Sequence, residues 1–297
     1  MNYRTDLAVE TQEFLEKKEK KSGQRTTGYT RKQKKIDEDI AVTEIEIISE
    51  EGAAAFGKPM GHYITVEVDG ILEGKEKIKE RAARALAGEL KELIPFHYYL
   101  RVLVVGLGNE KVTPDSLGPH TVDKVRITSH LFEIYDCDGD WEMGNVSGFN
   151  PSVTGVTGME TADVIRQMVD LVKPEAVVII DALAARDVKR ISSTIQICDT
   201  GISPGAGMGN RRREISEKTL GCRVVSIGVP TVIDSKTLIL DAAAEIPGIS
   251  EDAVAAYFAG RDLSMIVTST DIDQIIKDFS DIIANGINIT LHPGIYS

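Results

Sequence analysis

Apolar and polar positions change rhythm along this chain, and the rhythm predicts its elements. Val42–Ile48 and Tyr63–Val68 alternate, as half-buried strands do. Over Lys75–Ile94, Ile78, Ala82, Leu86, Leu90 and Leu93 recur near helical spacing, which predicts an amphipathic helix. Three short runs, Val102–Val105, Ala176–Ile180 and Val224–Ile227, are almost wholly apolar. Such runs suit strands covered on both faces. Helical stretches, Pro119–Leu131 and Glu160–Val172 among them, fall between these runs. The alternation predicts an α/β fold, a three-layer sandwich around a mostly parallel central sheet. Asp271–Ile283 reads as a docked helix, with Ile272, Ile275, Ile276, Phe279 and Ile283 on one face.

Lys17–Lys35 breaks this order. It holds nine basic residues against one acidic and has no apolar periodicity. The expectation is a mobile, solvated segment, or an electrostatic contact for an acidic partner. The chain as a whole carries a net charge of −12, which argues against direct nucleic-acid binding, since a phosphate footprint needs a basic face. Its 297 residues are enough for one large domain with appendages. Three widely spaced cysteines give neither a disulfide framework nor a zinc spacing, so free thiols in a reducing compartment are expected. No apolar run is long enough to span a membrane, and the N-terminus lacks a signal-peptide core. A cytoplasmic protein is expected.

Chemistry concentrates at two predicted strand ends. The first run, Val102–Val105, leads into Gly106-Leu107-Gly108-Asn109, which tempts a dinucleotide reading. The third glycine of that fingerprint would fall on Lys111, and Pro114 keeps a helix from opening at the turn. The loop instead projects Asp115. The second run, Ala176–Ile180, ends in Asp181, a carboxylate that is costly to bury without a partner or a role. If the two strands are parallel neighbours, both carboxylates reach the sheet edge where α/β proteins bind ligands. Two carboxylates sharing a site keep one proton between them, and so can act as base and acid. Equally, one could cap a helix and the other pair with Arg186.

Gly201–Gly205 fits the G-x-S-x-G elbow in letters only. Pro204 follows the serine and has no N–H for an oxyanion. The glycines beyond it and Arg211, Arg212 and Arg213 could bind an anionic group. None of the five histidines falls into a compact ligand set, and no metal is expected.

The motifs themselves carry more. RTDLAVE at the N-terminus, VVGLGNEKVTPDSLGP, GVTGMETADVI, IDALAARDVKRISSTIQICDTGISPGAGMGNRR and IGVPTVID resemble the germination protease family of spore-forming bacteria. Weaker similarity continues through MIVTSTDIDQII and ANGINITLHP. The resemblance implies an atypical aspartic endopeptidase without a cofactor, related in fold to hydrogenase-maturation endopeptidases. It implies small acid-soluble spore proteins as substrates, a homotetramer, and a zymogen that removes its own N-terminus in the forespore or spore core. It places the two essential aspartates on Asp115 and Asp181.

The family's preference for cutting after an acidic residue, before a hydrophobic one followed by alanine, points to Asp6–Leu7. Residues 1–6 are then a prosegment, 7–40 a basic and partly mobile segment, and 41–297 a single α/β peptidase domain. Arg186, Arg211 and Arg212, with Arg213, are candidates for binding the acidic side chain. A metal-assisted peptidase using the same carboxylates, or a non-enzymatic binder of spore DNA-coat proteins, are the alternatives. The chain departs from bacillar members in its short region Ser235–Ser264 and its short prosegment.

Overall fold

The structure, a computed structural model, describes residues 4–23, 25–205, 212–246, 248–259 and 265–296. Its strands are β1 (Tyr29–Lys35), β2 (Ile40–Ile47), β3 (Gly61–Val68), β4 (Arg101–Gly106), β5 (Asn145–Phe149), β6 (Ala176–Ala185), β7 (Thr194–Cys198), β8 (Arg223–Asp234) and β9 (Ile266–Val267). They form one sheet in the order β1-β2-β3-β7-β8-β6-β4-β5, with β9 pairing on β8.

The α/β fold is the expected one, and the sheet is mixed. The three apolar runs are parallel neighbours, β4 beside β6 and β6 beside β8, with β5 parallel outside β4. On the other side of β8 the pairings turn antiparallel through β7, β3, β2 and β1. Connection length accounts for part of this. β1 and β2 are joined by four residues, enough for a hairpin, whereas parallel neighbours need a longer crossover.

Helices cover both faces. The helices Ile78–Leu93 and Ile272–Leu291 pack on each other and over one apolar cluster, which contains Val104, Val178, Ile227 and Ile197. The helix Thr161–Val172 covers the other, with Val105, Val177, Ile179 and Val224. The C-terminal helix runs two turns beyond the expected end at Ile283, because Ile287 and Leu291 continue its buried face. Gly286 lets the two long helices meet: a Cβ there would lie 2.7 Å from Leu86. The stretch expected as one helix over Pro119–Leu131 is two short ones, Leu117–Val122 and Ser129–Ile134.

The basic stretch differs from expectation. Its described residues complete a helix, Ala8–Ser22, and form the edge strand β1. Nor do residues 7–40 stand apart from the domain, since Leu7, Ala8, Val9 and Ile40 belong to its main core. The lack of apolar period follows from the edge position. β1 pairs on one side only and exposes nearly every residue. Its Arg31, Lys32, Lys34 and Lys35 discourage pairing with another chain. Among the described residues, no helix is long and apolar enough to cross a membrane.

Candidate active site

β4 ends at Gly106, paired with Ile180 of β6, and the following loop folds back on itself. Asn109 N–H donates to both the backbone oxygen and the Oδ2 of Asp115, at 3.0 and 2.9 Å. Gly108 makes this possible: its φ is +110°, and a Cβ there would collide with the Asp115 carbonyl. The carboxyl of Asp115 is partly buried, and burial raises its pKa against the opposing Asn109 hydrogen bond.

Asp181 does not stand past its strand. β6 continues to Ala185, and Asp181 sits inside it, opposite Gly228 of β8. Reading the strand as ending at its first polar residue overlooked that β8 also runs on, through Val229 to Asp234. The neighbour on the other side is what stops: Asp181 lies one residue beyond the β4 pairing and so opens onto the same edge as Asp115. It is 6% exposed, and its Oδ1 accepts the Ala182 N–H at 2.9 Å. Its pKa is held well above the usual carboxylate range, first by burial, then by the charges of Asp115 and Asp6.

Both aspartates line one cavity of about 430 Å³, together with Asp6, Leu107, Leu183 and Arg212. Asp6 enters it on the N-terminal segment, at a bend where the Leu7 N–H donates to Thr5 Oγ1 at 3.0 Å. Arg4 N–H donates to Thr237 Oγ1 at 3.3 Å, and Asp6 N–H to the Ala184 carbonyl at 2.9 Å. The Asp6 carboxylate in turn accepts the Ala184 N–H at 2.9 Å. Beyond it, Leu7 is fully buried and the helix Ala8–Ser22 begins. That helix is tied down by Glu10, 3% exposed, which accepts the backbone N–H groups of Arg186 and Asp187 at 2.8 Å each, and the Thr5 hydroxyl. Burial raises the Glu10 pKa against these hydrogen bonds.

The arginines divide. Arg212 and Arg213 line the cavity, with the Arg213 guanidinium 2.7 Å from Asp163 at the surface. Arg186 does not line it; its guanidinium pairs with Asp241. Arg211 lies outside the described residues. The Asp6 side chain is met by a backbone N–H, a contact that charge logic does not anticipate.

Two further residues reach Asp6. Lys58 Nζ donates to its carbonyl oxygen at 2.8 Å and Gln196 Nε2 at 3.0 Å. The sequence carried a signal for one of them: Gln196 interrupts the apolar run of β7, Thr-Ile-Gln-Ile-Cys. Lys58 follows Gly57 in a turn and looks like any surface lysine. Among the described residues, no group of three or more His, Cys, Asp or Glu side chains is placed to hold a metal ion.

Comparison with known proteins adds the family. A family model described as germination protease matches residues 8–246. The germination protease of Caldanaerobacter subterraneus subsp. tengcongensis is 39% identical over 321 residues, covering 99% of this chain and 96% of its own. That of Clostridium perfringens is 38% identical over 317 residues, covering 98% and 96%. Among solved structures, a [NiFe] hydrogenase maturation protease, HycI from Thermococcus kodakarensis KOD1, aligns with a TM-score of 0.34 and 14% identity. That alignment covers 67% of this chain and 99% of HycI.

Proposed function

The chain belongs to the germination protease family, and is a peptidase; from that premise we propose that it initiates breakdown of small acid-soluble spore proteins during germination, cutting after an acidic residue and before a hydrophobic one. It works as a homotetramer in the forespore and spore core, without a metal or other cofactor, and does not bind nucleic acid directly. It is made as a zymogen and removes residues 1–6 by cutting Asp6–Leu7. The observation that carries this reading is the position of Asp6. An acidic residue followed by Leu7 and Ala8 lies in the cavity of Asp115 and Asp181, with its carboxylate and main chain already bound.

The two carboxyls take different roles because their surroundings differ. Asp181 is the more buried and is repelled by two neighbouring carboxylates, so it keeps the proton. Asp115 is the base. It takes a proton from water, and the water oxygen adds to the Asp6 carbonyl carbon. Asp181 then gives its proton to the Leu7 nitrogen as the C–N bond breaks. The pair ends with its protons exchanged and is reset by solvent. Cleavage falls on the acid side as Asp115 protonates and on the alkaline side as Asp181 ionises.

The test is to incubate the purified full-length chain with an acid-soluble spore protein. Fragments should begin with hydrophobic residues that follow an acidic one, and the enzyme's own N-terminus should become Leu7. An intact substrate together with an intact Met1 overturns the reading. Light scattering checks the tetramer.

A further inference from the structure

The oxygen of the bond to be cut has two donors, Lys58 and Gln196, from parts of the chain 138 positions apart in the numbering. Gln196 is 7% exposed and its amide is held at both ends. Its Oε1 accepts the Ala8 N–H at 2.8 Å while Nε2 donates to Asp6 O, so one side chain grips the backbone on either side of Asp6–Leu7. The Lys58 ammonium is partly buried, and burial lowers its pKa against the raising charges of Asp6, Cys198 and Glu10. Among the described residues it makes no salt bridge; its hydrogen bond goes to a neutral carbonyl. Its Nζ also lies 5.9 Å from the Tyr63 ring centroid, and holding a peptide in place does not call for a half-buried cation aimed at a carbonyl oxygen. A cation so placed is suited to stabilising a carbonyl oxygen that becomes negative.

Placement supports the same reading. Gln196 and Asp181 both pair with Gly228, from opposite sides, so they project from one face of the sheet about 10 Å apart, two strand spacings. A second cavity of about 180 Å³, lined by Lys58, Gln196, Tyr63 and Cys198, adjoins the first, and the two share Asp6 and Leu183. The carboxyls line one cavity and the oxygen's donors the other, and Asp6 borders both.

We propose that Lys58 and Gln196 are the carbonyl-polarising residues of this peptidase, binding the scissile oxygen of Asp6–Leu7 in the chain itself and of the matching bond in a substrate. The inference rests on the proposed cut at Asp6–Leu7. Addition of water oxygen to the Asp6 carbonyl carbon moves the π electrons onto Asp6 O, where the Lys58 and Gln196 N–H groups bind the charge. When the C–N bond breaks, the electrons return and the carbonyl re-forms. No other reactant is needed.

The experiment follows self-cleavage of the full-length chain by intact mass, alongside hydrogen exchange at the Ala8 amide. In Lys58→Met the cut should slow by roughly 10²–10³-fold, the usual effect of losing one such donor, while Ala8 stays protected. Lys58→Arg should recover at least tenfold of that loss. A Lys58→Met rate within threefold of wild type overturns the proposal. So does loss of Ala8 protection, which makes Lys58 an anchor for the segment. If Lys58→Met does not fold, Lys58→Arg against Lys58→Gln carries the test: equal rates overturn it. Asp115→Asn run in parallel separates the failures. A dead Asp115→Asn beside a fast Lys58→Met sinks this inference alone. A fast Asp115→Asn, or a wild-type chain uncut at Asp6–Leu7, sinks the parent reading and this inference with it.

Discussion

On the parallel side of the sheet, β5, β4, β6 and β8 all point their carboxyl ends to one edge, and Asp115 and Asp181 stand there. On the antiparallel side, β7, β3, β2 and β1 share no such edge. That side supplies a mid-strand glutamine and, from the turn before β3, a lysine. Both hold the peptide that the other side would cut. A parallel sheet gathers functional groups by rule, because every strand delivers its following loop to the same place. An antiparallel sheet gathers them only by register and by where a turn happens to lie. The proposed enzyme thus has its proton-transfer groups on one side of β8 and the donors to the scissile oxygen on the other, while Ala184 of β6 holds the Asp6 N–H and carboxylate.

Substituting the aspartates tests this division hardest. Asp115→Asn and Asp181→Asn should each lower cleavage of a small acid-soluble spore protein by at least about 10³-fold, within the range seen for loss of acid–base catalysis, with the fold intact by circular dichroism. A full rate in either variant removes that residue from the chemistry.

Glu10→Ala comes next, because it strips the anchor of the N-terminal helix. The partly buried N–H groups of Arg186 and Asp187 lose their acceptor, at a cost of about 1–3 kcal/mol read by urea unfolding. Self-cleavage should slow too, since the segment ahead of the helix loses its tether. A stable variant with unchanged self-cleavage would mean that the helix, tied through Glu10 to the end of β6, does not hold the peptide for cutting.

The third test reads Asp181 through stability. Its folded pKa lies well above the ordinary 3.8, so folding takes up a proton between those two values. The stability this gives is complete below the ordinary carboxylate pKa and is lost as pH rises through the folded pKa. Asp181→Asn cannot ionise, so its melting temperature relative to wild type should increase from pH 4 to pH 8. A constant difference would mean that Asp181 is not the proton-holding partner.

The smallest effect is expected farthest from the site. Replacing Lys32 and Lys34 on β1 with threonine should change stability by less than about 1 kcal/mol, because their partners Glu44 and Glu89 form surface pairs. Sedimentation should instead show new association through the unguarded edge. A large loss of stability would give the basic strand a structural role beyond guarding.

Much of the parallel side was legible from residue pattern. Three apolar runs and the carboxylates after them follow from strand burial and from the cost of burying charge. The antiparallel side was not. β1 shows no period because neither of its faces is buried. Asp181 looked like a strand end because polarity is a local signal, while the strand's length depends on β8 running beside it. Gln196 could have been flagged as a polar residue inside an apolar strand, but nothing local says that it meets Asp6, 190 positions away. Lys58 gives no local sign at all.

By itself, then, the sequence determined the α/β class, the two candidate carboxylates, the family resemblance and the acidic–hydrophobic junction at Asp6–Leu7. These rest on periodicity and on contiguous motifs, which need no knowledge of distant neighbours. Only the tertiary structure decided that the junction lies in the aspartates' own cavity, that the Ala184 backbone N–H meets the Asp6 side chain, and that Lys58 and Gln196 converge on its carbonyl. Those contacts are set by strand order and register across the sheet, and register is a property of paired strands that no single segment contains.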